Sequence, residues 1–289
     1  GHGIDAFPRN PHTVMRSSSR LSIGFRLLFG FVGFVGFAFT HTVSAQSVPS
    51  MAEIGIELAE GQVLPLSKQI NFELVSSNSN KLATNLENWE GVTAEQVSDN
   101  RLSITLSPMP RFIKPVQDKH SADSFVVDLS EPSTKAFVAS YQQAYADAPF
   151  ELEHLTAFVD GYIVDPNYIH GFNIASVVAS QRSGDCTEYA VLTAALARAL
   201  GMSAKVIIGT VIVEQNDSVN AFGHAWTEVW HDGQWHIVDS ALYRLEATQH
   251  FYLPASELDN EGLGYGMGLV RAFVLMPEQL LSLRSKPKS

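Results

Sequence analysis

The stretch SGDCTEYAVLTAALARALG, residues 183–201, decides the fold that we predict for this chain. Its apolar residues recur at three- and four-residue steps, which is typical of a buried helix, and Gly201 is placed to end that helix. Asp185 is a preferred N-cap residue, and Glu188 follows it in a capping-box pattern. We therefore predict that the helix begins at Cys186.

The position of Cys186 gives its thiol two properties that a nucleophile needs. The positive end of the helix dipole favours the thiolate, and the first N–H groups of a helix are free to donate to an oxyanion. Cys186 is the only cysteine in the sequence, which excludes an internal disulfide and any multi-cysteine metal site. The alternative for a lone cysteine is a small buried apolar residue, but its place at a helix start favours a reactive thiol.

A second stretch, HAWTEVWHDGQWHIVD at residues 224–239, predicts a β-hairpin. The Asp-Gly pair at 232–233 is a strong signal for a two-residue turn, and this turn sets Trp226 opposite Asp239. Because side chains alternate along a strand, His224 lies on the same face as these two residues. Diagonal neighbours on one face are within reach of each other, so the hairpin predicts a His–Asp pair.

Taken together, these motifs resemble the core of the transglutaminase-like superfamily, a branch of the papain-like cysteine enzymes, and in particular its bacterial cysteine peptidases. The resemblance covers about residues 150–245. It is carried by five motifs in the expected order: GDCTEYA at 184–190, ALARALG at 195–201, AKV at 204–206, HAW at 224–226 and WHIVD at 235–239.

The resemblance implies a role for each residue of the predicted site. Cys186 would be the nucleophile, His224 the base and Asp239 the third member of a triad. Gln181, five residues before the cysteine, is a candidate oxyanion donor. Protein-crosslinking members of the superfamily place a Trp between nucleophile and base, whereas Trp89 is the only tryptophan upstream of the cysteine here. This departure argues against crosslinking activity.

We predict an α+β fold in which the nucleophile helix packs on an antiparallel sheet, as the resemblance implies. The predicted transglutaminase-like domain spans residues 132–289. It follows a small β-rich module at 46–131, where alternating runs at 70–74 and 102–106 and a β-rich run at 124–129 are separated by turn-forming residues. No motif in this module carries chemistry, and we expect it to serve packing or spacing.

Residues 1–45 have the pattern of upstream sequence and a secretory signal peptide. Met15 is followed by three arginines without an acid, by the uncharged apolar run Leu27–Phe39, and by small residues up to Ala45. The apolar run is short for a membrane span, although an uncleaved anchor is the alternative. We therefore predict a periplasmic or secreted protein with no stable membrane span after cleavage.

Charge excludes one large class of partner. The formal net charge is −11, and it becomes −14 without residues 1–45, because that segment holds four arginines and one aspartate. Non-specific nucleic-acid binding needs many Lys and Arg contacts to phosphate, so we expect no nucleic-acid partner.

The predicted function is cleavage of an amide in a protein or peptide substrate through a thioester, as a peptidase or amidase. Two alternatives stay open: a transglutaminase that transfers the acyl group to an amine, and a non-catalytic binding module that keeps the fold. Trp226 is a candidate pocket residue that would shield the His–Asp pair. We predict no metal or cofactor, because His224, His231 and His236 match no zinc signature.

Overall fold

A computed structural model describes residues 52–166 and 172–287, which combine helices with one large sheet. The predicted signal segment at 1–45 lies outside the described residues. The strands are β1 (Glu53–Leu58), β2 (Ile70–Val75), β3 (Trp89–Ser98), β4 (Arg101–Phe112), β5 (Ala204–Gln215), β6 (Ser218–His231), β7 (Gln234–Val238), β8 (Gln249–Glu257) and β9 (Gln279–Ser285). The helices are α1 (Ser79–Leu86), α2 (Pro132–Ala144), α3 (Leu152–Tyr162), α4 (Ala175–Gln181), α5 (Cys186–Ala199) and α6 (Tyr265–Phe273).

The described strands form a nine-stranded sheet in the order β3-β4-β2-β9-β1-β6-β5-β8, with β7 added to β6. Neighbouring strands run antiparallel except for β1 and β9, which are parallel. Strands from residues 46–131 and from 132–289 lie in this one sheet. The boundary between the two predicted domains stays a prediction.

The centre of the sheet is covered on both faces, and α5 lies on one of them. Nearly every residue of β5 is buried. Both faces of this strand are covered, so its apolar residues are not confined to alternate positions. Helix α5 is buried along almost its whole length and packs on β6 and β5. Its many alanines allow this close approach. Helices α2, α3 and α4 cover its other side.

One buried ion pair fixes the C-terminal end of α5. The guanidinium of Arg198 is fully buried, and it meets both carboxylate oxygens of Glu261 at 2.7 and 2.8 Å. Arg198 also donates to the carbonyl oxygen of Ala204 at the start of β5. The bidentate geometry and the further hydrogen bonds of Arg198 offset the cost of removing the two charges from water.

The strand expected from the β-rich run at 124–129 is not formed. The backbone turns instead, with the N–H of Ser124 bonded to the carbonyl of Val127. Val126 and Val127 are fully buried against the helices, and the carbonyl of Val126 accepts from the N–H of Ala175 at the start of α4. Two adjacent valines can be buried against helices as well as within a strand, so the strand predicted from the β-rich composition of this run is wrong.

The predicted mixture of helices and sheet is confirmed. The helical apolar spacing of residues 133–146 and 150–164 and the shorter helix candidate at 173–181 correspond to α2, α3 and α4, with ends shifted by a few residues. None of the described helices is both long enough and apolar enough to cross a membrane.

Candidate active site

The cysteine lies at the first position of α5. Asp185 is the N-cap residue, and its Oδ1 accepts from the backbone N–H of Thr187 at 3.1 Å. Gly184 precedes it with a φ of +154°, and a Cβ at this position would lie 2.3 Å from the Cβ of Glu188. Only glycine therefore allows the turn that delivers Cys186 to the helix start.

The Cys186 thiol is fully buried. Burial raises its pKa well above the ordinary value, the charge of Asp185 acts in the same direction, and a hydrogen bond from the backbone N–H of Ala225 opposes them. The helix start favours a thiolate, but burial outweighs that effect. The resting group is therefore a neutral thiol that needs a base before it can attack. Ala225 follows His224 directly on β6, so the residue that lowers the pKa of the thiol is the sequence neighbour of the histidine.

The hairpin between β6 and β7 has the register that the sequence predicts. Asp232 and Gly233 both have positive φ, 51° and 78°, as a two-residue type I′ turn requires. The pairing of Thr227 with Val238 sets Trp226 opposite Asp239 at the next position.

The structure brings His224 and Asp239 into direct contact. The Nε2 atom of the imidazole lies 2.8 Å from Oδ2 of the carboxylate, and both side chains are almost completely buried. A carboxylate only accepts, so Nε2 carries the proton, and Nδ1 is left with its lone pair. Among the described residues Nδ1 has no hydrogen-bond partner. It is therefore the nitrogen available to take a proton.

Tyr252 of β8 completes the environment of the carboxylate. Its hydroxyl donates to the same Oδ2 of Asp239 at 2.7 Å. Burial raises the pKa of Tyr252 well above its usual value, and the charge of Asp239 and this hydrogen bond add to the effect, so the phenol stays protonated. Sequence reasoning missed this residue, because no local pattern links β8 to the hairpin.

The side chain of Trp226 packs beside the His224–Asp239 pair. Its ring is stacked on the imidazole of His224 with centroids 6.1 Å apart, and it meets the ring of Tyr252 edge-on at 5.0 Å. Gly209 makes room for it, because a Cβ there would lie 2.7 Å from Cη2 of Trp226. The indole is 1% exposed, so it excludes water from the pair.

Gln181, the candidate oxyanion donor, is the last residue of α4 and is exposed. Arg182 follows it in the left-handed conformation and begins the turn toward Cys186. The assignment of Gln181 stays a prediction. The described residues contain no group of three or more His, Cys, Asp or Glu side chains that could hold a metal ion.

Glu188 does not close the capping box with Asp185. The side chain of Glu188 is buried beneath the helix start, and burial raises its pKa to about 9, with further contributions from the adjacent Asp185 carboxylate. The Oγ1 atom of Thr187 lies 2.5 Å from Oε2 of Glu188 and 2.7 Å from Oδ1 of Asp185. A hydroxyl has one hydrogen, so Thr187 can donate to only one of these two carboxyl groups at a time. The hydrogen bond with Asp185 raises the pKa of Glu188, and the one from Thr187 lowers it.

Comparison with protein families agrees with the predicted resemblance. Residues 135–240 match the model of the transglutaminase-like superfamily. This match includes α5 and the hairpin, and it confirms the resemblance to the superfamily; the bounds of the predicted domain stay a prediction. No curated protein matches the chain.

Several solved structures are similar to this chain at low identity. A candidate cysteine protease from Cytophaga hutchinsonii is 14% identical over 65% of this chain and 77% of its own, with a TM-score of 0.36. The periplasmic domain of TgpA from Pseudomonas aeruginosa, bound to ethylmercury, is 16% identical over 66% and 83%, with a TM-score of 0.41. A TGase is 13% identical over 59% and 50%, with a TM-score of 0.27.

Proposed function

We propose that this protein is an exported cysteine enzyme that hydrolyses amide bonds in protein or peptide substrates, with Cys186, His224 and Asp239 as its triad. One observation carries the proposal: a buried His–Asp pair, joined at 2.8 Å, leaves the second imidazole nitrogen without a partner among the described residues, and the next residue, Ala225, is one whose backbone N–H lowers the pKa of the Cys186 thiol. A nucleophile, a base and an orienting carboxylate are the groups that covalent acyl transfer needs.

The first chemical step follows from the neutral state of the thiol. Nδ1 of His224 takes the proton from Cys186 as the sulfur attacks the carbonyl carbon of the substrate, and a C–S bond forms. Asp239 holds the imidazole in the required tautomer and stabilises the imidazolium. The carbonyl oxygen becomes an oxyanion, to which the backbone N–H of Cys186 donates, and Gln181 remains the candidate for a second donor.

The second half of the reaction returns the enzyme to its starting state. The imidazolium of His224 gives its proton to the amine as the C–N bond breaks, which leaves a thioester on Cys186. Water then loses a proton to the imidazole and attacks the thioester, and the acid product leaves as the thiol is restored. We favour water as the acceptor because the crosslinking tryptophan has no counterpart upstream of Cys186.

Export is the second part of the proposal. It rests on the basic start, the apolar run and the small-residue end of the first 45 residues. A single unpaired cysteine in such a protein is consistent with a thiol that is kept for reaction.

Alkylation of Cys186 by iodoacetamide at neutral pH tests the triad directly. We expect His224→Ala to slow labelling about 100-fold, because the buried thiol loses its base. His231→Ala is the matched control, since this histidine lies on the same strand near the hairpin turn, and its labelling rate should equal that of the wild type. Circular dichroism verifies that each variant is folded. Equal labelling of His224→Ala and wild type would exclude the proposed base.

A fluorogenic casein assay with an added primary amine tests the acceptor. Release of peptide fragments without incorporation of the amine supports hydrolysis. Faster incorporation of the amine than hydrolysis, at equal enzyme concentration, would replace the peptidase assignment by a transglutaminase one. Loss of both signals in Cys186→Ser is required in either case.

A further inference from the structure

A groove of about 700 Å³ lies beside the start of α5, and the triad does not use it. Its size is typical of a ligand site. Residues from the start of β1, the start of α5, helix α6 and the segment before β9 line it. The apolar part of the lining consists of Ile54, Phe172, Leu269, Phe273 and Met276.

The groove is continuous with the segments that carry the candidate active site. Asp185 and Thr187 line it and flank Cys186 on the helix. On the opposite wall, the carbonyl of Ala52 accepts from the N–H of Gly223 at 2.7 Å, directly before His224. The groove is therefore bordered by sequence neighbours of Cys186, and the residue hydrogen-bonded to its Ala52 wall directly precedes His224.

The charge of the lining has one sign. Glu53, Asp185 and Glu278 are part of the wall, and no Lys or Arg side chain is among the lining residues. Glu53 and Glu278 are exposed, and neither makes an ion pair with another described residue. Acidic groups along a concave, low-dielectric wall focus a negative potential that attracts cations.

The apolar wall continues onto the surface. Phe273 is 41% exposed at the edge of the groove, and Met267 and Val270 of α6 are more exposed still. Large apolar side chains at a helix surface next to a groove are typical of a contact with another chain. The same surface therefore offers apolar contact area and unneutralised carboxylates.

We propose that this groove holds a substrate segment in which an apolar side chain lies next to Lys or Arg. The inference rests on the proposed peptidase function, and it adds the substrate class. The apolar side chain packs between α6 and β1, and the cation lies against Glu53 and Glu278. An acidic segment is repelled by these carboxylates.

Two internally quenched peptides that differ only by Lys or Glu beside a leucine test the substrate class. We expect kcat/KM to be at least about fivefold higher for the lysine peptide at low salt, and the preference should shrink at high salt. The double variant Glu53→Gln/Glu278→Gln should lose the preference. The control Glu87→Gln/Glu95→Gln removes two exposed acids that do not line the groove and should keep the preference. Hydrolysis without a charge preference, or a preference that survives in Glu53→Gln/Glu278→Gln, would overturn the inference.

A second measurement separates this inference from the proposed function. Two methanethiosulfonate reagents, one with a trimethylammonium group and one with a sulfonate, label Cys186 without any need for catalysis. The cationic reagent should react faster, and the ratio should fall toward one in Glu53→Gln/Glu278→Gln. If neither peptide is hydrolysed, the proposed function fails, and the ratio of the two labelling rates becomes the only test of the groove. A fall of this ratio in Glu53→Gln/Glu278→Gln supports a binding site for cationic segments. An unchanged ratio overturns the inference.

Discussion

Replacing Glu188 by glutamine should change how the stability of the protein depends on pH. The carboxyl of Glu188 is buried, and its pKa is raised from 4.5 to about 9. Between these two values the folded chain binds a proton that the unfolded chain has released. The free energy of unfolding therefore falls as pH rises through this window, the reverse of the usual case of a salt-bridged carboxylate.

The size of the effect follows from the shift. Each pH unit inside the window changes the stability by at most about 1.4 kcal/mol, so about three units, from pH 5.5 to pH 8.5, change it by up to about 4 kcal/mol. That is a large part of the 5–15 kcal/mol typical of a folded domain. Glutamine resembles the protonated acid, and its amide can donate to the Asp185 carboxylate as the acid does. Its second N–H is left without a partner, at a pH-independent cost of about 1–3 kcal/mol.

Urea unfolding at several pH values, followed by tryptophan fluorescence, measures the difference between wild type and Glu188→Gln. Every other titrating group is common to both proteins, so the difference isolates Glu188. The variant should gain stability relative to wild type as pH rises. Glu95→Gln, at an exposed site on β3, should show no such trend. A difference that stays constant between pH 5.5 and 8.5 would refute the assignment of a protonated Glu188.

Three further substitutions test the turn before α5, the hydrogen bond to Asp239 and the ion pair at the end of α5. Gly184→Ala should destabilise the protein by about 2–4 kcal/mol, because the added methyl overlaps the next helical turn; an unchanged melting temperature would contradict this. Tyr252→Phe should lower kcat of peptide hydrolysis about tenfold and leave KM unchanged, because Asp239 loses a charge-assisted hydrogen bond. Equal kcat values for the variant and the wild type would show that Tyr252 does not position Asp239. Arg198→Met should lower the free energy of unfolding, measured in urea, by about 3–5 kcal/mol, because the largely buried carboxylate of Glu261 loses its cation. The double variant Arg198→Met/Glu261→Leu should recover much of this loss. If it recovers none, the broken ion pair is not the cause.

The sequence predicted the hairpin well because its geometry is local. Two residues, Asp232 and Gly233, set the register by their positive φ, and the alternation of side chains then places His224, Trp226 and Asp239 on one face. The start of α5 was equally accessible, because an N-cap and a C-terminal glycine mark its ends. Short-range rules therefore predicted the elements that carry the proposed triad.

Contacts between distant parts of the chain could not be predicted in this way. Tyr252 reaches Asp239 only because β8 pairs with β5, and no sequence pattern specifies that choice of neighbour. Glu188 has the spacing of a capping residue, but its burial under Thr187 protonates it instead. The raised pKa of Cys186 has the same origin, since desolvation depends on everything that covers the thiol. Burial is a property of the whole fold.

The place of β9 in the sheet links the order of synthesis to the completion of the groove. Val75 of β2 pairs with Gln279 of β9, and β9 in turn holds β1, which contributes one wall of the groove. Pairings between such distant segments make folding slow, because the entropy cost of closing a long loop comes before the stabilising contacts form. Before β9 has been synthesised, β1 lacks its parallel partner and the groove lacks the wall formed by Met276, Pro277 and Glu278, which lie just before that strand. The wall that β1 contributes to the groove can therefore be held by β9 only after residues 279–285 have been added to the growing chain.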